Sequence, residues 1–160
     1  MNVEIASVIY SKNRHKSKLI ILSQGLDALS VAAEYLSLEK TSKYKYSFLV
    51  CPNSQHKAAL KSYSHIRDNT ESSTKKKREK MYKQGGCFYV TESVLYMDVM
   101  EDLVKPDQIL SLVLLGRFTV DKLSSISVIL NKIKIKNEVS FEDSNLSLIL
   151  EIERSILNSN

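Results

Sequence analysis

Four short apolar runs constrain the fold of this 160-residue chain more than any other feature of its sequence. They occupy residues 18–23, 46–51, 87–91 and 109–115. Each run carries apolar residues on both of its alternating faces, which is typical of strands that a parallel sheet buries on both sides. None approaches the roughly 18 apolar residues of a membrane span. The runs therefore predict the strands of a parallel sheet, and membrane insertion is not expected.

Segments with helical spacing lie between and after these runs. In the first of them, Leu29, Ala32, Ala33 and Leu36 recur at the intervals of an α-helix. Further helices are predicted at residues 54–66, 92–100, 120–132 and 144–157, and the polar residues 68–74 are predicted as a loop. Strands that alternate with helices imply right-handed crossovers around a parallel sheet. The expected fold is one α/β domain over residues 1–160, a three-layer sandwich with a mainly parallel sheet.

The cysteine count and the N-terminal residues bear on the compartment. Cys51 and Cys87 are the two cysteines of the chain, too few for a disulfide framework or a four-cysteine metal site. Residues 1–17 contain basic side chains but no apolar stretch behind them, so no secretory signal is expected. We expect a protein of a reducing compartment without a bound metal or cofactor.

Basic residues are concentrated in one segment. The chain has a net charge of +5, and residues 67–83 hold seven basic and three acidic side chains. The segment at about 67–84 is expected to be a basic loop or helix, and its candidate nucleic-acid contacts are Lys75, Lys76, Lys77, Arg78, Lys80 and Lys83. A basic segment on a nearly neutral body suggests contact with phosphate or an acidic partner. A solvated flexible loop is an equally good explanation.

The positions of an ATP site carry the wrong residues. A phosphate-binding loop after the first strand needs several glycines and a lysine, whereas this loop has Gly25 alone, followed by Asp27. Asp27 suits a helix N-cap better than a phosphate contact. After the strand at 109–115, Gly116 and Arg117 occupy the place of the carboxylates that hold Mg²⁺. Both halves of an ATPase site are therefore predicted to be degenerate.

Several motifs together resemble a known family. They are the Tyr-Lys-Gln-Gly-Gly-Cys-Phe-Tyr-Val-Thr strand at 82–91, the Val-Leu-Tyr-Met-Asp segment at 94–98, the proline turn at 106–109 and the apolar strand at 112–115. In this combination they are similar to the N-terminal helicase-like region of XPF-type structure-specific DNA repair endonucleases. That family has a Gln-Gly-Gly strand, a helix that ends in Asp, and a strand at the place of the helicase Asp-Glu-Ala-His motif.

The resemblance implies a RecA-like fold, a degenerate first domain of a superfamily 2 helicase, that has lost ATP chemistry. It implies a non-catalytic module of a nuclear nucleotide excision repair nuclease, which engages branched or single-stranded DNA and docks repair scaffold proteins. The nuclease and helix-hairpin-helix parts of the family have no counterpart in these residues, so the chain resembles a piece of a larger protein. The alternative is a free-standing interaction scaffold of repair or meiotic recombination, related to the same family.

The chain departs from the family pattern in two places. Glu92 and Ser93 stand where the family has Ser-Arg, and residues 118–141 look like a variable insertion. The helix at 92–100 is expected to bury Leu95 and Val99 and to leave Tyr96 and Met100 partly exposed for a partner. Alternatively, the predicted helix at 144–157 covers that stripe. Asp98, Glu101 and Asp102 share a helical face, which is expected to be solvated and, less plausibly, to hold Mg²⁺.

Overall fold

The fold is described from a computed structural model, which covers residues 2–13, 18–20, 27–51, 57–69, 74–115, 120–137 and 147–151. The helices are α1 (Asn2–Asn13), α2 (Ala28–Ser37), α3 (Lys57–Leu60), α4 (Lys75–Gln84), α5 (Glu92–Met100) and α6 (Val120–Asn137). The strands are β1 (Lys18–Ile20), β2 (Tyr46–Val50), β3 (Ile66–Asp68), β4 (Gly86–Val90), β5 (Ile109–Leu114) and β6 (Ser147–Glu151). A 3₁₀ turn, Pro106–Gln108, precedes β5. None of the helices in these ranges is long and apolar enough to cross a membrane.

The strands form one six-stranded sheet in the order β1-β6-β5-β2-β4-β3. Every pair of neighbouring strands is parallel. Strand β2 lies between β4 and β5, so Phe48 is opposite Phe88 on one side and Leu112 on the other. The predicted parallel sheet is therefore confirmed.

Helices cover both faces of the sheet. Alternate residues of β2 point to opposite sides, with Phe48 packed beneath α4, α5 and α6 and Leu49 beneath α1, α2 and α3. Both side chains are completely buried. The predicted three-layer α/β sandwich is thus confirmed, with one hydrophobic core on each face.

Two of the helices predicted from the sequence are wrong. The predicted helix at 54–66 is the single turn α3 within the described residues, and the chain then enters the edge strand β3. The predicted helix at 144–157 contains strand β6, which pairs with β1 on one side and β5 on the other. Short apolar runs do not separate a helix from a strand by period. In the second segment, pairing with β1 and β5 decided the conformation. In the first, turns follow α3 and lead to β3.

Side-chain caps begin three of the helices. Asp27, Thr74 and Thr91 are the N-caps of α2, α4 and α5, and each accepts a hydrogen bond from a backbone N–H of the first turn. A cap of this kind stabilises a helix by about 1 kcal/mol. The prediction that Asp27 is an N-cap is confirmed.

A close backbone contact at the end of α4 requires glycine. Gly85 has a φ of 75°, and a Cβ at this position would lie 1.8 Å from the carbonyl oxygen of Ser42. The loop at residues 42–45 is held there because the Gly86 N–H donates to the Lys45 carbonyl at 3.1 Å and the Tyr44 N–H donates to the Lys83 carbonyl at 3.3 Å. Gly85 therefore lets the loop close against α4.

The substitution Gly85→Ala tests this contact. Essentially only glycine adopts a φ of 75° together with a ψ of 178°. This conformation costs another residue about 1–3 kcal/mol, and the backbone clash adds to that cost. We expect the free energy of unfolding, measured by urea denaturation, to fall by more than about 2 kcal/mol. Lys80→Ala, on the exposed face of α4, is the control and should change it by less than about 0.5 kcal/mol. Equal effects of the two substitutions would contradict the close contact.

Candidate nucleic-acid interface

A carboxylate occupies the helix N-terminus where a phosphate would bind in a nucleotide site. One oxygen of Asp27 accepts from the Leu29 N–H at 3.2 Å, and the Ser30 hydroxyl donates to the other. An anion therefore already interacts with the positive end of α2. The other degenerate nucleotide-site positions, Gly25, Gly116 and Arg117, lie outside the described residues.

Helix α4 presents lysines to solvent on one side. Lys76 and Lys80 lie one turn apart, Lys77 is beside them and Lys83 follows on the next turn, and all four are exposed. We call Lys76, Lys77, Lys80 and Lys83 the lysine stripe. Lys83 donates to Glu79 at 2.8 Å, a contact that raises the pKa of Lys83 and lowers that of Glu79. Lys75 forms an ion pair with Glu101 outside the stripe.

Arg78 points to the opposite side of α4, into the protein. Its Nε lies 2.8 Å from Oδ2 of Asp98 and its Nη2 lies 2.8 Å from Oδ1, so the guanidinium binds the carboxylate with two parallel contacts. The Tyr82 hydroxyl also donates to Asp98 Oδ2 at 2.7 Å. We call these three residues the Asp98 anchor. The hydrogen bond to Asp98 raises the pKa of Arg78, and burial raises that of Tyr82.

The Asp98 anchor corrects one prediction and restricts another. Asp98 is completely buried, so the prediction of a solvated acidic face with Glu101 and Asp102 is wrong at this residue. Among the residues that the structure describes, no group of three or more metal-binding side chains is arranged to hold an ion. Arg78 was a candidate DNA contact by sequence, but its charge is directed at Asp98.

The orientation of α4 follows from this anchor. Arg78 and Tyr82 are four residues apart and therefore share one face of the helix. Because both bind a carboxylate of α5, that face turns inward and the lysine stripe turns outward. Sequence analysis singled out Asp98 but assigned it to a solvated acidic face, although an aspartate among the apolar residues of α5 is a signal for a buried ion pair.

The outer face of α5 is partly covered. Leu95 and Val99 are buried as predicted, and Tyr96 and Met100 are half-buried. Helix α6 packs here, and its Lys132 ammonium donates to the Val99 carbonyl at 2.9 Å. Residues 147–151 of the predicted helix at 144–157 form strand β6, so the prediction that this helix covers the stripe is wrong in the part of it that the structure describes. The proposed insertion at 118–141 includes α6, whose Ile126 and Ile129 belong to the core.

The cysteines have no features of a nucleophile. Neither Cys51 nor Cys87 forms a disulfide, and both are buried. The Cys87 thiol donates weakly to the Leu36 carbonyl at 3.5 Å, and burial raises the pKa of Cys87 to about 12. Its thiolate, the reactive form, is therefore scarce at neutral pH.

Comparisons with known proteins agree with the fold. No protein-family model matches the chain. A curated relative, DNA repair protein rad16 of Schizosaccharomyces pombe, is 32% identical over 73 residues, which are 46% of this chain and 8% of that protein. A solved structure, the Pyrococcus furiosus Hef helicase domain, superposes with a TM-score of 0.63 at 16% identity. The chain has a RecA-like helicase fold. The match covers 91% of this chain and 31% of the Hef chain.

These two matches confirm the resemblance to the helicase-like region of XPF-type nucleases. The chain spans less than a third of each protein, and the structural match at 16% identity concerns the fold. Activity, DNA and partners are therefore matters for proposal.

The Asp98 anchor makes a prediction about stability. Asp98→Ala leaves the Arg78 guanidinium and the Tyr82 hydroxyl without their carboxylate, and breaking a buried ion pair in this way costs about 3–5 kcal/mol. We expect a loss of that size in the free energy of unfolding, measured by urea denaturation. The control Lys76→Ala, on the opposite face of α4, should change it by less than about 0.5 kcal/mol. A loss below about 1 kcal/mol for Asp98→Ala, the size seen for exposed pairs, would contradict the anchor.

Proposed function

We propose that this chain is a non-catalytic, helicase-like module of an XPF-like DNA repair endonuclease. It engages DNA junctions through electrostatic contacts and docks partner proteins in the nucleus, and it does so without ATP hydrolysis. The observation that carries the proposal is the lysine stripe, which the Asp98 anchor turns to solvent on a RecA-like fold. The name of the curated relative, a DNA repair protein, supports the same assignment.

Electrostatic attraction explains the role of the stripe. Its lysines are exposed along one face of α4, and phosphates of a DNA backbone lie in a row that such a face can follow. Binding of this kind releases counterions from DNA, so it depends on salt and reads little sequence. Lys75 lies outside the stripe and Arg78 holds α5, so Lys76, Lys77 and Lys80 are the main contacts, supplemented by Lys83.

The half-buried side chains of α5 belong to the proposed partner-docking face. Tyr96 packs at the margin of the core, Met100 is half-buried, and Met97 on the same helix is 49% exposed. A methionine and an aromatic ring at a helix surface adapt to different partner side chains. We propose that this face contacts scaffold proteins or the remaining domains of the larger nuclease.

The first test concerns DNA binding. We expect the double variant Lys76→Ala/Lys80→Ala to bind a three-way junction more weakly. The slope of log binding constant against log salt concentration should become less steep by roughly 0.7–0.9 for each phosphate that the protein no longer neutralises. Fluorescence anisotropy over a salt series measures both. The matched control, Lys40→Ala/Lys61→Ala, removes the same charge from two exposed lysines outside α4 and should leave the slope unchanged. Equal slopes for the two double variants would contradict a role of the stripe.

The second test concerns nucleotide binding. Because the Asp27 carboxylate occupies the N-terminus of α2, we expect no stabilisation of the protein by Mg-ATP in a thermal unfolding experiment. A bound ligand at about 100 times its Kd would add about 2.7 kcal/mol, which raises the melting temperature by several degrees. Mg²⁺ alone is the control. A rise with Mg-ATP that exceeds this control would contradict the loss of the nucleotide site.

A further inference from the structure

A cleft opens beside the lysine stripe at the edge of the sheet opposite to Asp27. It lies where β2 and β5 begin, has a volume of about 390 Å³, and is lined by one face of α4 together with parts of the segments 44–46 and 101–108. Its aromatic side chains are Tyr44, Tyr46 and Tyr82. Its charged side chains are three lysines and three acids, Lys75, Lys83, Lys105, Glu79, Glu101 and Asp102. The volume is within the range of about 300–1,000 Å³ that small ligands occupy.

Tyr44 is held at this cleft in an unfavourable backbone conformation. It is the third residue of a turn closed by the Lys45 N–H, which donates to the Ser42 carbonyl at 2.9 Å. Its φ is 59°, in the left-handed region that favours glycine, and its side chain is 49% exposed. Because the ring is exposed, core packing does not explain why tyrosine rather than glycine occupies a position with this φ.

A second residue of the cleft shares this conformation. Asp102 also has a positive φ and lines the cleft, but it follows the end of α5 and makes the usual left-handed helix end, in which the Leu103 N–H donates to the Asp98 carbonyl at 2.9 Å. Tyr44 ends no helix, so its positive φ has no such local explanation. Backbone strain of this kind concentrates at ligand-binding sites, where it holds a side chain in its working position. The contact with Gly85 and the hydrogen bond to Lys83 keep the Tyr44 turn in place.

The cations around the ring are available to an anion. Lys83 and Lys75 form ion pairs with Glu79 and Glu101 at the surface, and exposed pairs are weak enough to be exchanged for a phosphate. Lys105 has no ion-pair partner within the described part of the chain. The hydroxyl of Tyr82 is bound to Asp98, and that of Tyr46 accepts from the Lys105 N–H at 2.6 Å. The floor of the cleft is therefore rigid.

We propose that this cleft binds an unpaired nucleotide of a single-stranded nucleic acid. The base stacks on Tyr44, and Lys83 and Lys105 hold the adjacent phosphates. An aromatic ring that any base can cover, flanked by cations that follow the backbone, is the usual design of single-strand binding surfaces. The inference rests on the proposed function, because the lysine stripe continues from Lys83 along α4 and would contact the nucleic-acid backbone where it leaves the cleft.

Three variants of Tyr44 and Lys105 test the cleft. The probe is a fluorescein-labelled oligothymidine, and a labelled blunt duplex of the same length is the comparison. Tyr44→Gly should weaken oligothymidine binding by about 5- to 100-fold, the effect expected when one stacked base is released, and should change duplex binding less than about two-fold. Tyr44→Phe keeps the ring and should bind the oligothymidine as the unaltered protein does. Lys105→Glu should weaken that binding, whereas Lys61→Glu, on the other side of the sheet, should not.

Thermal unfolding of the same variants separates stacking from structure. Glycine adopts the φ of Tyr44 without strain, so Tyr44→Gly should melt at the same or a higher temperature while its affinity falls. Unchanged oligothymidine binding by Tyr44→Gly, or an equal reduction for oligothymidine and duplex, would overturn the cleft. The cleft would also be overturned if Tyr44→Gly melted at a lower temperature and the loss of folded protein accounted for its weaker binding.

The test of the lysine stripe and the test of the cleft have independent outcomes. If Lys76→Ala/Lys80→Ala weakens binding to the three-way junction while Tyr44→Gly leaves oligothymidine binding unchanged, the proposed function stands and the cleft is contradicted. If Tyr44→Gly weakens oligothymidine binding and the lysine variant leaves junction binding unaltered, the cleft stands and the interface on α4 falls.

Discussion

The buried carboxylate of Asp98 is the interaction on which the functional surface depends. A charge without solvent is costly unless it is paired and hydrogen-bonded, and Asp98 meets this requirement through the Arg78 guanidinium and the Tyr82 hydroxyl. Both partners come from one face of α4, whereas Asp98 comes from α5. The rotation of α4 is thereby determined, and the lysines on its other face are directed to solvent. A structural ion pair in the core thus controls where the positive charge of the surface lies.

The edge of the sheet formed by the carboxyl ends of its strands and the edge formed by their amino ends differ in chemistry. At the edge where ligands bind in most open α/β sheets, the described part carries Asp27 as the cap of α2, a negative charge that disfavours phosphate. At the other edge is the cleft, where the Tyr44 ring lies among three lysines and three acidic residues. The proposed function places the loss of the nucleotide site at the first edge and the binding of nucleic acid at the second. Fold alone does not decide between these sites, because function depends on the side chains that the fold brings together.

Much of the layered architecture could be predicted from sequence. The runs around β2, β4 and β5 are apolar on both faces, and burial between two helical layers is the physical cause of that pattern. Strands β3 and β6 escaped prediction because their residues do not separate a helix from a strand by period, and pairing with neighbouring strands selects the extended conformation there. The cap at Asp27 was predictable since it depends on residues within one helical turn. The lysines of α4 were found by charge, and the inward direction of Arg78 was not.

The sequence by itself determined the parallel sheet, the helical layers, the basic segment and the cap at Asp27, because period, charge and local capping act over a few neighbouring positions. Only the tertiary structure decided which basic residues serve as surface and which as anchor, since Arg78 and Asp98 meet across 20 residues of chain. It also decided that Tyr44 stands beside Lys83 and Lys105. That arrangement depends on the close approach of one backbone segment to Gly85, a contact that no local pattern of residues encodes.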